Sequence, residues 1–397
     1  MSTTLALVVV LVFSFAADRA LRWLRRWLVL PTSGVHVLVG LAVGPVGLGI
    51  VNDRILATLQ PMLSLVLGLV GFGMGLMLRR QLSRSRGLEG GLVSALIVVG
   101  AVTAACYGAL VVLLGIYDPW AALVPALALG SVAGVSDAHL VGLLADRAGA
   151  RGPVRELLHT FAVSSGNIAV SVLGLTLALA RARQSELDLT PAEWLAAAVG
   201  AGVACGILFT LFVGRWGNDQ RAFLATVAII TFASGIAVGM GVSPLLAGMI
   251  AGLTASLVSS QADAVGEALQ RIEAPALVAI VVLASAMWTA PPLLAWGVVA
   301  VCLGVRVAAL RLGAWVAPRL FSRLPRAHRL GAALIPQGAL GVAIAANFSQ
   351  VFPSHASLTL TVGLLGLLVS DLVGYPTVRR VLADAGEIAH RASEPAT

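Results

Sequence analysis

About thirteen apolar segments, joined by short connections, occupy nearly the whole chain. A helix needs roughly 20 mostly apolar residues to cross a bilayer, and most of these segments reach that length. Only 11% of the residues are charged, against about 25% in average soluble domains. We therefore predict an all-α polytopic membrane protein. The segments span residues 3–17, 32–51, 56–78, 89–115, 120–145, 156–180, 191–214, 222–240, 243–259, 273–289, 292–317, 330–350 and 356–377.

The arginines predict how the chain crosses the membrane. All 26 basic residues are Arg. If the N-terminus lies outside, 22 of them fall in the inside connections and three, Arg54, Arg181 and Arg183, in the outside ones. Connections on the cytoplasmic side carry the excess of Arg. We predict a multi-pass protein of the cell (inner) membrane with its N-terminus outside and its C-terminus in the cytoplasm. The net charge of +8 then needs no nucleic-acid partner.

The segment pattern also predicts the domain organisation. We expect a single transmembrane domain over residues 1–381, with inverted repeats at about 1–180 and 222–381 joined by a linker helix at 191–214. The polar residues 382–397 would form a disordered cytoplasmic tail.

Four segments form two pairs that carry this symmetry. The second and ninth are short and carry a Pro among small residues, and the fifth and twelfth are interrupted at residues 130–137 and 335–338. The members of each pair lie seven segments apart, which inverts the second copy. Paired broken segments in two inverted halves point to the midplane site of a transporter. The alternative is ordinary helix flexibility.

Asp137 is the sharpest candidate for a functional residue. It lies inside the fifth segment, beside Ser136, in the Gly- and Ser-rich interruption. An acid at membrane depth is costly and marks a functional site by default. Its carboxylate suits a cation or a proton. The alternative is that Asp137 only caps the second half of a broken helix.

Three further charges lie inside segments. Arg306 lies midway along the eleventh, and we expect it to hold the carbonyl end of a half-helix or to pair with Glu156 or Asp137. Glu156 lies near the inner end of the sixth segment. Asp371, near the inner end of the thirteenth, precedes a Gly-Tyr-Pro sequence that predicts a turn. For all three charged residues the simpler interpretation is a structural role, which for Asp371 is helix capping.

Neutral polar residues interrupt two segments. The sixth carries Ser164, Ser165 and Asn167, and in the twelfth Gln337 follows the helix-breaking Pro336. Such side chains line a cavity or hydrogen-bond across helices, and both alternatives stay open. The glycines of the run 71–75 lie within an apolar helix, where close helix packing explains them.

The sequence shows no constellation typical of an enzyme. There is no Walker loop, no zinc-ligand spacing and no set of residues for a nucleophile. Cys106, Cys205 and Cys302 have unrelated spacings. We expect no enzymatic activity, no cofactor and no metal beyond an alkali cation.

Several motifs together resemble a known family. They are the GxxxGP pattern and following Leu-Gly of Gly40–Gly49, the basic end of Leu69–Arg80, the GxSP element of Gly241–Gly252, the LxPxG pattern of Leu334–Ala345 and the pair Ser370-Asp371. In order and spacing they are similar to the cation:proton antiporter superfamily, nearest to its monovalent cation:proton antiporter-2 branch. The resemblance covers nearly the whole chain.

The resemblance implies a fold and a mechanism. It implies thirteen helices, a dimerisation domain, and a mobile core in which the fifth and twelfth helices are broken and cross. It implies ion exchange by an elevator-like motion, with one or two acidic residues on the sixth helix. Here the chain departs, because no carboxylate occurs between Glu156 and Glu186. Asp137, in a Ser-Asp-Ala sequence that resembles a Thr-Asp-Pro element of one branch, would be the substitute.

These observations favour a secondary transporter that exchanges a monovalent cation, Na⁺ or K⁺, for protons. Asp137 would be the carboxylate, with Ser136, Ser164, Ser165, Asn167 and Gln337 as neutral neighbours. The expected partners are the cation, protons, the lipid bilayer and a second copy in a homodimer. One alternative is a uniporter or an anion transporter on the same scaffold. Another is a degenerate subunit or sensor that transports nothing.

Overall fold

In the computed structural model, residues 32–51, 53–84, 87–213, 219–259, 262–321 and 329–388 are described. The predicted first segment at residues 3–17 lies outside them. The described part contains fourteen α-helices and one 3₁₀ turn at Pro353–His355. The α-helices are α1 (Thr32–Val43), α2 (Asp53–Arg84), α3 (Leu88–Leu114), α4 (Pro119–Gly134), α5 (Ala138–Arg147), α6 (Pro153–Gln184), α7 (Pro191–Val213), α8 (Asp219–Met240), α9 (Pro244–Val258), α10 (Ala262–Ala286), α11 (Ala295–Leu320), α12 (Leu330–Ala333), α13 (Gly338–Val351) and α14 (Ala356–Asp384).

Seven helical stretches of the described chain are long and apolar enough to cross a membrane. They contain 22–32 residues each, with mean hydropathies between 1.5 and 2.4. Five shorter apolar helices accompany them. The chain is therefore a multi-pass α-helical membrane protein, as its apolar segments predict.

Two of the predicted segments are broken. The fifth consists of α4 and α5, separated by extended backbone at residues 135–137. The twelfth consists of α12 and α13, separated at residues 334–337. Pro336 lacks the N–H that a continuing helix would need, and Gly338 has a φ of +61°, which favours glycine. The predicted pair of discontinuous helices is confirmed.

Helix packing divides the described helices into two groups. The first, which we call the glycine-packed group, contains α1, α2 and α7–α10. The second, the crossover group, contains α3–α6 and α11–α14. The groups meet mainly where α10 packs on α13, where α6 packs on α7, where α14 packs on α1, and where α2 contacts α6. The interface between the groups contains the candidate site.

Glycines bring α2 and α9 into close contact in the glycine-packed group. A Cβ atom added at Gly75 would lie 2.5 Å from the backbone nitrogen of Leu253, and one at Gly71 would collide with the carbonyl oxygen of Leu245. A Cβ atom at Gly73 would meet nothing within 4 Å. The predicted close packing is therefore confirmed for Gly71 and Gly75 but not for Gly73, which lies on another face of α2.

The last helix continues further than predicted. α14 runs through residues 374–376, where the Gly-Tyr-Pro sequence predicts a turn, and ends at Asp384. The predicted turn is wrong, because neighbouring helices and side chains satisfy the backbone groups that a Pro frees inside a membrane helix. The buried side chains of Val378, Val381 and Leu382 hold the end of α14 against the protein.

The residues after α14 also belong to the folded protein. The Glu387 carboxylate accepts hydrogen bonds from the backbone N–H groups of Val154 (2.6 Å) and Arg155 (2.9 Å) at the start of α6. A carboxylate is stabilising at a helix N-terminus because of the helix dipole. The prediction of a disordered tail is therefore wrong for residues 382–388, and the rest of that predicted tail lies outside the described residues.

Candidate functional site

The two broken segments meet at their breaks. The backbone N–H of Asp137 donates a hydrogen bond to the carbonyl oxygen of Pro336 over 2.9 Å. The Ser136 hydroxyl donates to the carbonyl oxygen of Leu334 over 2.6 Å. Irregular backbone at membrane depth is tolerated only where the protein or a water-filled cavity satisfies its polar groups. Here each break satisfies groups of the other.

Two side chains satisfy the carbonyl end of α4. The last four carbonyl groups of a helix have no partner within it. The Gln337 amide donates to the carbonyl oxygen of Val132 over 2.6 Å. The Arg306 guanidinium, only 3% exposed, donates from Nε to Ala133 (2.6 Å) and from Nη2 to Val135 (2.9 Å). Arg306 thus holds helix-end carbonyls and does not pair with Glu156 or Asp137.

Asp137 lies at the N-termini of two half-helices at once. Its carboxylate accepts a hydrogen bond from the N–H of Leu140 over 3.1 Å, which caps α5. The N–H groups of His139 and Leu340 also face it, and Leu340 lies in the first turn of α13. A Cβ atom on Gly338 would collide with the Asp137 side chain, so glycine is required for this approach. The capping role of Asp137 is therefore present in the structure.

Asp137 also lines a cavity between the two helix groups. The cavity has a volume of about 40 Å³, which is more than the ~10–15 Å³ that one water molecule needs. Capping and exposure to this space are therefore combined in one carboxylate, which is 6% exposed. The glycine-packed group lines the cavity with Val70, Met74, Met77, Glu273 and Leu277, and the crossover group with residues 137–139, Ala162, Val163, Gly166, Asn167 and Leu340.

One face of α6 forms part of this cavity wall. Asn167 is on that face, and its Nδ2 atom donates to the carbonyl oxygen of Val163 over 2.8 Å. Its Oδ1 atom is buried and has no hydrogen-bond partner in the described structure. An unpartnered buried carbonyl is costly and is a suitable oxygen ligand for a cation or a water.

The two serines of α6 do not line the cavity. The Ser165 hydroxyl accepts a hydrogen bond from the N–H of Ser136 over 2.9 Å, which ties α6 to the break. The Ser164 hydroxyl donates to the carbonyl oxygen of Thr160 over 2.9 Å and packs against Gly91. Of the six predicted ion-site residues, the structure thus places Asp137 and Asn167 on the cavity, and the other four in the supports around it.

The two remaining predicted charges lie away from the cavity. Glu156 is exposed at the start of α6. Asp371 accepts hydrogen bonds from the backbone N–H of Ser33 (2.8 Å) and from its hydroxyl. It therefore caps α1, the first described helix, from the middle of α14.

Glu273 is the cavity residue that the sequence reasoning missed. It lies on α10, at the start of the predicted segment 273–289. The only signal was an acid at the start of an apolar segment, a position that Glu89 and Glu156 share. Beside Arg271, however, it resembles an ordinary interfacial charge. His139, two residues after Asp137, lines the same cavity.

Comparisons with known proteins show what this fold is similar to. No model of a known protein family matches the sequence, and no curated protein matches it. A structure of the sodium proton antiporter MjNhaP1 from Methanocaldococcus jannaschii at pH 8 aligns over 96% of this chain and 97% of its own, with a TM-score of 0.64 and 15% identity. An electron-microscopy structure of the same antiporter aligns over 96% and 98%, with a TM-score of 0.69 and 14% identity. The chain therefore has the fold of a cation:proton antiporter.

Proposed function

We propose that this protein is a secondary transporter that exchanges a monovalent cation, Na⁺ or K⁺, for protons. The main support is the position of Asp137. Its carboxylate lies where two broken helices meet and also lines a cavity between two helix groups. In each half of the cycle its carboxylate would hold either the cation or a proton. The antiporter fold supports this proposal.

Both ends of the group interface contain a cavity, which supports alternating access. A second cavity of about 300 Å³ is lined by Leu63 of α2, Leu283 of α10 and Gln350 of α13, among others. Between the two cavities lie Leu67 on α2 and Ile280 on α10, both fully buried. Leu63 and Val70 of the first cavity are separated by seven residues, or about 10 Å of helix. The buried layer between the two cavities is therefore only about 10 Å thick along α2.

The charges at the site favour a cation over an anion. A helix N-terminus carries about half a positive charge, and α5 and α13 both direct theirs at Asp137. One carboxylate therefore offsets both termini, and no mobile anion is needed. Asn167 adds a free carbonyl oxygen, a ligand type that alkali cations prefer. We assign direct contact with the ion to Asp137 and Asn167.

The remaining polar residues position these two ligands. Ser136 and Gln337 hold the two breaks together, and Ser165 ties α6 to the first break. Arg306 holds the end of α4. Their removal should alter the geometry of the site rather than its charge, and Ser164 would act through the packing of α6 on α3.

The setting of the transporter completes the proposal. The arginine distribution supports the cell (inner) membrane, an N-terminus outside and a cytoplasmic C-terminus. The first cavity then opens towards the cytoplasm, because Met77 precedes Arg79 by two residues on α2. We further propose a homodimer, the single transmembrane domain with inverted repeats at about 1–180 and 222–381, and membership of the monovalent cation:proton antiporter-2 branch.

Ion-gradient experiments on purified protein test the proposal. The protein is reconstituted into vesicles that contain a pH-sensitive dye, and a gradient of Na⁺ or K⁺ is imposed. Cation entry should drive proton exit, and the dye should report alkalinisation inside. In the Na⁺ experiment, valinomycin with equal K⁺ on both sides clamps the membrane potential and excludes proton movement that merely follows charge.

Each alternative predicts a different result. Isotopic cation or anion uptake without proton movement would support a uniporter or an anion transporter and contradict the exchange. The absence of any flux, with a protein that copurifies in fixed proportion, would support a subunit or sensor.

A further inference from the structure

Glu273 faces the site from the opposite helix group. It lies on α10 and lines the cavity together with Leu277, one turn further along the same face. Asp137 and Asn167, on the other wall, belong to the crossover group. The two carboxylates therefore line the same cavity from opposite sides of the interface between the groups.

The cavity between them has the features of a prepared ion site. Asn167 is 6% exposed, and its Oδ1 atom has no donor in the described structure. Within the described part of the chain, no hydrogen bond or ion pair to the Glu273 carboxylate is present, although His139 lies near enough to interact with it. Glu273 is half-buried, and removing part of a carboxylate's hydration without giving it a partner is costly. A cation in the cavity would relieve both groups.

The charge count around the cavity specifies the ligand. The half-charges of two helix N-termini offset Asp137, whereas only the imidazole of His139 is near enough, among the described residues, to offset Glu273. His139 is the only other titratable group of the described residues that lines the cavity. With this imidazole neutral, one negative charge remains, which one monovalent cation would neutralise.

We propose that Glu273 is a second acidic ligand of the site, and that a monovalent cation held between Glu273 and Asp137 bridges the two helix groups. The second carboxylate of the cavity, where α6 contributes only neutral residues, is thus supplied by α10. This inference deepens the proposed function and rests on a cation as its substrate.

The bridge would couple ion occupancy to movement of the groups. With the cation bound, the two carboxylates attract it from both sides and hold the interface together. With the cavity empty they repel each other. A ligand shifts a conformational equilibrium only through its different affinity for the two states, and a ligand shared by both groups has that property.

Thermal unfolding of the purified protein tests the bridge at pH 8, in choline chloride and in NaCl or KCl at equal ionic strength. The wild type should unfold several degrees higher in one of the two cations, as expected when a ligand binds only the folded state. Glu273→Gln should lose this gain. In choline it should unfold at or above the wild-type temperature, because the repulsion is removed. Glu273→Asp should keep part of the gain, and Glu156→Gln, an exposed acid of α6, should keep all of it.

Transport gives a second readout. Glu273→Gln should raise the half-saturating cation concentration about tenfold or more, equivalent to about 1.4 kcal/mol or more, and Glu156→Gln should change it less than about twofold.

Three results would overturn the inference. If the wild type gains no stability from Na⁺ or K⁺, it has no cation site between Glu273 and Asp137. If Glu273→Gln leaves the cation-dependent rise in unfolding temperature or the half-saturating cation concentration unchanged, Glu273 is not a ligand. Equal destabilisation of Glu273→Gln in choline and in the cation shows a structural role alone. Cation-dependent stability that requires Glu273, in a protein without proton exchange, would instead refute the proposed function and leave the bridge intact.

Discussion

The backbone N–H of Asp137 lies 2.9 Å from the carbonyl oxygen of Pro336 and donates a hydrogen bond to it. This bond joins the breaks of two segments that lie about 200 residues apart in the chain. It fixes the carboxylate of Asp137 at the N-termini of both α5 and α13. The position of the candidate ion ligand is therefore set by backbone geometry, and the side chains around it hold that geometry in place.

Arg306 should be the most important of these supports. Arg306→Met removes hydrogen bonds to Ala133 and Val135, and each bond from a charged donor contributes about 1.5–3 kcal/mol. We expect a large loss of thermal stability in detergent or lipid, and a smaller one for Arg306→Lys, which keeps the charge but not the fork of donors. Gln337→Met, which removes the bond to Val132, should cost about 1 kcal/mol or more.

Arg311 provides the matched control for Arg306. It lies on the same helix, α11, but is exposed, so Arg311→Met should leave the unfolding temperature nearly unchanged. Equal effects of the two substitutions would show that Arg306 acts through general charge and not through the carbonyl end of α4.

The glycines of α2 offer a comparison within one helix. Gly71→Ala and Gly75→Ala insert a methyl group against the backbone of α9, and overpacking costs about 1–3 kcal/mol. Gly73→Ala meets open space and should be neutral or slightly stabilising, because Ala is the better helix former. Thermal unfolding of the three variants measures the difference. Similar stability of all three would contradict the close approach of α2 and α9.

Asp371 should contribute to stability through α1. Asp371→Ala removes the acceptor for the N–H and the hydroxyl of Ser33, and loss of a helix cap costs about 0.5–2 kcal/mol. Asp384→Ala, an exposed acid at the end of the same helix, should be neutral. Proteolysis or hydrogen exchange of α1 should increase in the first variant only. Unchanged exchange in α1 would show that Asp371 is not its cap.

The breaks and the apolar segments could be predicted from the sequence because local chemistry determines them. Pro336 has no N–H, Gly338 adopts a positive φ, and Asp137 is a good helix cap. Segment length follows from the thickness of the bilayer. The two largest errors, the turn before Pro376 and the disordered residues after Val381, arose where tertiary contacts override local preference.

The composition of the site could be predicted only in part. Ala162, Val163, Gly166 and Asn167 line the cavity because they share one face of α6, while Ser164 and Ser165 lie on other faces. Ser164, Ser165 and Asn167 lie so close together in the chain that they point to different sides of α6, and the sequence of α6 alone does not determine which of them faces the cavity. Glu273 lies 136 residues from Asp137 in the chain, and only the packing of α10 against the crossover group brings it to the cavity.

The central claim is that the charge of Asp137 carries the exchange. Its most direct test is cation-driven proton flux in vesicles that contain wild type, Asp137→Asn or Asp118→Asn. Both acids cap a helix, since Asp118 accepts a hydrogen bond from the N–H of Trp120 at the start of α4. Asn preserves capping and removes only the charge.

We predict that Asp137→Asn abolishes the flux and that Asp118→Asn, an exposed cap, exchanges at the wild-type rate. Exchange by Asp137→Asn as fast as by the wild type would contradict the claim, because Asp137 would then be a helix cap and no more.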